Sequence, residues 1–211
     1  MPLPDPEAPL KHWLDAISAP TPAPGGGAAA AIAGALGAAL LQMVAGLTGS
    51  REKYAAVHAL AAHASSKAGH LRDGMLTLAA RDARAFDGFT RALALPATTS
   101  DERDRRARAK ADALSAGAAV QLELLAHLAQ LADLALEIAD QGLSTAVGDA
   151  ATAAFLAVGS ARSAYWSVRS NLAEIGGGIA DRERLGAAKA LLERVEDAER
   201  RVRHLLEARV P

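Results

Sequence analysis

Tyr54, Val57, Ala61, Ala64, Ala68, Leu71, Met75, Leu78, Asp82, Phe86, Phe89 and Leu93 follow one another at steps of three or four residues. That period brings the whole series to one face of a helix, and it fits no strand. The steps make a heptad-like seam for a neighbouring helix. A helix is therefore expected from near Ser50 to about Leu95, where Pro96 stops it. Every other member of the stretch from Ala61 to Phe89 is apolar, so Asp82 stands out as a carboxylate on a buried face.

Outward from this seam the pattern stays helical. Upstream, Gly25 to Thr48 carries no charged residue and is mostly Ala and Gly. Its length suits a membrane span. Ala and Gly bring little transfer energy, however, and a crowded interior helix is the better reading, with Gly34 and Gly37 allowing close backbone approach. A short helix is expected before it, capped by Asp5 with Pro6 in its first turn and Leu10, Trp13, Leu14 and Ile17 on one face. Downstream, Thr99 and Glu102 form a capping-box pattern for a helix ending near Gly142. Ser144 or Thr145 can cap a fifth helix, which Gly176, Gly177 and Gly178 terminate. A last helix repeats the seam through Leu185, Ala188, Leu192, Val195, Val202 and Leu205, with Glu196–Arg200 and Glu199–Arg203 as supporting pairs.

Composition agrees with an all-α bundle of about six helices in one domain spanning 1–211. Hydrophobic residues make up 51% of the 211 residues but aromatics only 3%. Such an Ala-rich, β-branched-poor chain favours helix over sandwich, barrel or doubly wound sheet. The net charge of −1 offers no basic footprint for nucleic acid. The absence of cysteine excludes disulfides, thiolate metal sites and a cysteine nucleophile. No leader is expected, because Pro2, Pro4, Asp5 and Pro6 precede any apolar run. Seams this long leave more apolar ridge than one small bundle covers, which predicts a homodimer.

Several clusters could carry chemistry. Pro22-Ala23-Pro24-Gly25-Gly26-Gly27 stands directly before a helix, where free N–H groups attract anions. It matches neither a dinucleotide fingerprint nor a Walker loop, and it reads equally as a tight turn into a crowded helix. Asp82 is either a working carboxylate or one paired with a buried partner. Asp149, at the start of the fifth helix, complements the helix dipole or serves a site. Arg162 and Arg169 share a face, as a salt-bridged ridge or an anion site. The six histidines have no metal-ligand spacing, so no metal site is expected. Asp101 to Lys110 reads as a solvated helix face.

Taken in order, these segments resemble the cyclodeaminase/cyclohydrolase family: the C-terminal domain of formiminotransferase-cyclodeaminase and the stand-alone methenyltetrahydrofolate cyclohydrolases. Leu14-Asp15-Ala16 through Pro20-Thr21-Pro22-Ala23-Pro24-Gly25-Gly26-Gly27-Ala28-Ala29-Ala30 is similar to its N-terminal signature. Met43 to Thr48 with Arg51, Lys53 and Tyr54 is similar to a second block, Asp82-Ala83-Arg84-Ala85-Phe86 with Leu95-Pro96 to a third, and Gly148-Asp149 with Val168-Arg169-Ser170-Asn171-Leu172 to a fourth. The chain departs from the pattern at Ala28, usually Ser, at Gly46 and Leu143, often Asn, and at Trp166, commonly Asn.

The resemblance implies an all-helical, dimeric, cytoplasmic enzyme with no bound cofactor or metal and a tetrahydrofolate derivative as substrate. The reaction would be deamination of 5-formiminotetrahydrofolate to the 5,10-methenyl compound, or hydrolysis of the latter. Asp82 and Asp149 would be catalytic. Pro24, Gly25, Gly26, Gly27, Lys53, Tyr54, Arg169 and Asn171 would bind substrate. The alternative is a non-catalytic helical dimer of the same fold that binds a small molecule or a partner protein.

Overall fold

The computed structural model describes residues 3–176 and 178–209; Pro2 and Gly177, both used above, lie outside the described residues. Six α-helices follow one another: α1 (Leu10–Ser18), α2 (Gly26–Gly49), α3 (His58–Leu93), α4 (Ser100–Gln141), α5 (Val147–Ile175) and α6 (Ile179–Arg209). Short 3₁₀ turns at Glu52–Val57 and Ser144–Ala146 precede α3 and α5, and no strand occurs among the described residues.

Short connections make successive helices antiparallel. Helices α2, α3, α4 and α5 close a ring in which each packs on the next and α5 on α2, while α6 lies against α4 and α5. The core is largely alanine, Ala38, Ala64, Ala79, Ala135 and Ala154 among the fully buried ones, filled out by Leu124, Leu125, Leu128 and Leu131. Small side chains let helix axes come close. At Gly37 an added Cβ would stand 3.1 Å from the Ala153 carbonyl, and at Gly34 one would stand 2.6 Å from Met75 Sδ. Helix α2 is long and apolar enough to cross a membrane, yet most of that window is buried inside the fold.

Two ends of α4 show why the chain stops and starts where it does. Thr99 Oγ1 accepts from the Glu102 N–H at 3.2 Å and Glu102 Oε2 accepts from the Thr99 N–H at 3.0 Å, the expected reciprocal cap. At the other end, Arg209 of α6 donates to the Ala139 and Asp140 carbonyls, which have no intrahelical partner. Arg184 to Ser115 and Arg194 to Asp133 continue this clamp of α6 on α4. Helix α5 ends at Gly176, whose φ of 108° only glycine adopts without strain.

The structure corrects several local expectations. Helix α1 starts at Leu10 behind Pro9; Asp5 instead accepts from the Glu7 N–H at 2.9 Å within a turn. Pro9 disfavours helical geometry at Ala8, so the helix cannot begin earlier. Leu10 and Leu14 remain exposed, and Trp13 is the buried anchor. The seam helix begins at His58, because Tyr54 has non-helical dihedrals while its hydroxyl is held by Ser144. Neither Ser144 nor Thr145 caps α5 through its side chain. Glu196 pairs with Arg162 across the helices at 2.9 Å, and Arg200 with Asp197; the expected Glu199–Arg203 pair is present.

Much of both seams packs inside the bundle. Ala61, Ala64, Ala68, Leu71, Met75 and Leu78 of α3 and Ala188, Val195 and Val202 of α6 are all buried, while Phe86 and Leu93 at the far end of the α3 seam stay exposed. Helix α2 also keeps an open apolar face, where Leu36, Met43 and Leu47 are exposed.

Thr48 joins the far end of α2 to the α4–α5 turn. Fully buried, its hydroxyl donates to the Val44 carbonyl at 2.8 Å and accepts from the Leu143 N–H at 3.0 Å. Thr48→Val preserves shape but strands that buried N–H, and is expected to destabilise the fold by about 1–3 kcal/mol in denaturant titration.

Candidate functional site

Asp82 lies on the buried face of α3, where that helix passes the start of α2. Its carboxylate accepts from the Ala28 N–H, one of the first-turn donors that have no acceptor inside α2. It also accepts from Gln121 Nε2 of α4 at 2.6 Å. Burial pushes the carboxyl above its ordinary value near 3.8, and the two hydrogen bonds only partly offset that.

Gly27 explains how three helices converge here. A Cβ at Gly27 would fall 2.5 and 2.6 Å from the two Asp82 carboxylate oxygens and closer still to Gln121 Nε2. Only the absence of a side chain lets α2 start on top of the Asp82–Gln121 pair. The other two glycines of the run differ: a Cβ at Gly26 meets nothing, and one at Gly25 is 3.7 Å from the Pro22 carbonyl. Pro24, buried behind a cis Ala23–Pro24 bond, leads the chain into this start.

A cleft opens beside Asp82 because α2 begins late. Helix α3 runs on for roughly 16 Å past Asp82, and α4 and α5 flank it there without α2. Asp82, Phe86 and Phe89 from α3, Leu114 and Gly117 from α4, and Ser170, Asn171 and Glu174 from α5 line about 280 Å³. The rings of Phe86 and Phe89 lie 5.9 Å apart. Gly117 leaves room for Asn171, since a Cβ there would stand 2.9 Å from Asn171 Nδ2. Lys110 bridges Glu174 at 2.6 Å, 6.0 Å from the Phe89 ring centre. The cleft therefore joins a buried carboxyl of raised proton affinity, an aromatic wall and an amide.

The predicted residues divide between two ends of the bundle. Gly27 and Asp82 come together at the start of α2 and Asn171 lines the cleft with Asp82, whereas Gly25 and Gly26 are not part of that lining. Lys53, Tyr54 and Asp149 gather at the other end of α2, roughly 33 Å away at a helical rise of about 1.5 Å per residue. There the Tyr54 hydroxyl bonds Ser144 Oγ at 3.2 Å and the Ser144 N–H at 3.1 Å, which holds the phenol below its usual pKa. Lys53 Nζ stands 5.9 Å from the Tyr54 ring centre, and Asp149 is in the first turn of α5. Arg169 is exposed on α5 and stacks over Trp166 at 4.7 Å, outside the cleft lining. With Arg162 on Glu196, the two arginines do not form one anion site. Sequence reasoning missed Gln121 and Gly117. Gln121 was signalled as a polar residue between apolar Val120 and Leu124, and Gly117 as an isolated glycine inside a helical run.

Comparisons with known proteins place the chain in a family. A sequence profile for formiminotransferase-cyclodeaminase matches residues 9–198. The chain is 34% identical over 183 residues to the methenyltetrahydrofolate cyclohydrolase of Methylorubrum extorquens, covering 87% of this chain and 88% of the relative. It is 34% identical over 167 residues to the formimidoyltransferase-cyclodeaminase of Mus musculus, where it covers 79% of this chain and spans 31% of that longer protein. The fold matches the crystal structure of formiminotetrahydrofolate cyclodeaminase from Thermotoga maritima with a TM-score of 0.87 at 25% identity, over 97% of this chain and 98% of that one. An all-α ring closed around a buried carboxyl, matched along almost its whole length in sequence and in fold, belongs to the formiminotransferase-cyclodeaminase family.

Proposed function

We propose that the chain catalyses a one-carbon step on tetrahydrofolate: hydrolysis of the 5,10-methenyl compound, or closure of the 5-formimino compound with release of ammonia. The carrying observation is Asp82, a carboxyl whose proton affinity is raised by burial at the edge of a cleft with an aromatic wall. Both reactions pass through a tetrahedral carbon between two nitrogens and need a proton moved near neutral pH. The cyclodeaminase structure matched along 98% of its chain supports ring closure, and the cyclohydrolase matched along 88% of its length supports hydrolysis.

In the hydrolytic reaction water adds to the carbon between N5 and N10, and the Asp82 carboxylate takes one of its protons. The C–N5 bond then breaks with its electron pair on N5, and Asp82 returns the proton there. The remaining hydroxyl proton leaves to solvent as the formyl group forms on N10. Phe86 and Phe89 offer a stacking surface for a flat ring, and Asn171 offers an amide to a polar ring edge.

We infer that the active form is a homodimer. Leu36, Leu40, Met43 and Leu47 recur along α2 at steps of four, three and four, on a helix without a charged residue. Antiparallel packing of two such faces sets the Gly26 end of one α2 beside the Gly49 end of its partner. Lys53, Tyr54 and Asp149 of one subunit would then border the Asp82 cleft of the other, which supports a site built from both subunits.

Purified protein should speed the absorbance decay of methenyltetrahydrofolate above its spontaneous rate. Asp82→Asn should lower turnover roughly 10²-fold or more with helicity unchanged. The same variant should be more heat-stable than the parent at pH 7. A folded-state pKa above the unfolded one means that stability falls as pH rises from near 3.8 through the raised value, so the advantage of Asn should vanish toward pH 3. A turnover equal to the parent's would remove Asp82 from the chemistry.

Gly27→Ala should push the Asp82–Gln121 pair apart and reduce turnover at least tenfold, as 1 Å shifts of catalytic groups do (about 10²-fold). Steady-state kinetics on the folded variant check this.

A shared site predicts complementation. Asp82→Asn and Lys53→Met chains, each weakly active alone, should on mixing recover about a quarter of the parent activity through hybrid dimers. No recovery after verified subunit exchange, or a monomer by sedimentation at micromolar concentration, would place both clusters in separate roles.

A further inference from the structure

Gln121 is 1% exposed, so it cannot touch a ligand in the cleft, and among the described residues its hydrogen-bond partner is the Asp82 carboxyl, which must change protonation state. Its Nε2 donates to Asp82 Oδ1 at 2.6 Å, while its Oε1 is buried with no hydrogen-bond partner. A buried amide is normally held at both ends, and leaving one end open is costly. Here nothing at the far end fixes which way the amide faces. Its orientation is set by Asp82 alone.

That freedom matters because Asp82's other partner cannot adapt. The Ala28 N–H is a backbone donor and can only donate. A carboxylate suits two donors, but a carboxylic acid needs an acceptor for its O–H. Half a turn about the terminal torsion of Gln121 supplies it, exchanging Nε2–H···Oδ1 for Oδ1–H···Oε1. Gly27 leaves the space for this, having no Cβ against the amide. An apolar residue at 121 could satisfy neither state, and a lysine could satisfy only the ionised one.

We propose that Gln121 is the positioning residue of Asp82, its amide turning over to donate to the carboxylate and to accept from the acid as the proton comes and goes. This rests on the reading of Asp82 as proton carrier. Of the other charged groups near Asp82, Arg84 is exposed on α3 and the rest pair with one another. Glu174 of α5 is bonded to Lys110 of α4, Arg81 of α3 to Glu123 of α4, and α2 contributes no charge. Gln121 is thus the side chain whose state follows that of Asp82.

Two measurements test this. In the parent protein, the Gln121 side-chain amide resonances should move with pH at the same midpoint as the Asp82 carboxyl carbon, and stay flat in Asp82→Asn. A Gln121 amide that is unmoved while Asp82 titrates overturns the proposal, whatever the protein does to folate. In kinetics, Gln121→Met removes the donor to the ionised form. It should shift the acid limb of the kcat/KM profile to higher pH and lower kcat roughly 10- to 100-fold with KM within about twofold. Gln121→Glu should regain activity in the lower part of the range, where a shared proton again lets the pair donate and accept. A Gln121→Met profile superimposable on the parent's also overturns it. If the parent itself never turns over methenyltetrahydrofolate while the two resonances still titrate together, the folate reading fails and the coupling of Gln121 to Asp82 stands.

Discussion

The backbone of Gly27 rests against two polar side chains, and most of what is distinctive in this molecule depends on that contact. A carboxylate and an amide from neighbouring helices occupy the place of its missing Cβ. The contact fixes where α2 begins relative to α3 and α4. Because α2 begins there and not several turns lower, α3, α4 and α5 continue without it, and their inner faces become the walls of a cleft. The same start gives Asp82 the Ala28 N–H. One steric constraint thus sets the register of the ring, opens the site and supplies its carboxyl with a fixed donor.

Alanine makes the ring tight enough for this to work. Helices faced with Ala and Gly approach closely, and their backbones carry the packing that larger side chains carry elsewhere. The consequence for α2 is a helix apolar on almost every side, whose inward faces meet α3 and α5 and whose remaining face shows Leu36, Met43 and Leu47 to the outside. Polar ties appear at its ends. Thr48 stitches one end to the α4–α5 turn, and Asp82 meets the other. The two ends are also where the residues singled out from the sequence accumulate.

The helices and their order were legible because three- and four-residue periodicity, Pro96, the Thr99–Glu102 cap and Gly176 are local signals. Asp82 was legible because a carboxylate interrupts an apolar series on one face. Gln121 was not, since polar residues are frequent along α4 and nothing local says which of them faces Asp82. The glycine run was legible as a feature, but which glycine matters depends on what stands opposite it, and that is a tertiary fact. The seams did not say what they meet: their pattern is that of helix contact in general, and many of their residues are buried within the ring. How far Lys53, Tyr54 and Asp149 stand from Asp82 within one subunit was not legible, because a linear motif order carries no distance. A straight α2 puts them a helix-length away.

A buried carboxyl is a cost that a fold of this kind can carry. Packing an aspartate between α2 and α4 destabilises the ionised form, and a Leu or Met in that seam would hold the ring together better. The surrounding core is large and dry enough to absorb the difference: Leu78, Leu124 and Leu125 are within a few residues of the Asp82–Gln121 pair and are essentially fully buried. That same dryness raises the carboxyl's proton affinity toward the range where it can both take and give a proton near neutral pH. Two of the polar replacements within the family pattern leave this arrangement in place. Ala28 serves Asp82 through its backbone N–H, which no side-chain change removes, and Leu143 is buried with its own N–H satisfied by Thr48. The groups that set the state of Asp82 are therefore a helix start, a glycine and a buried amide.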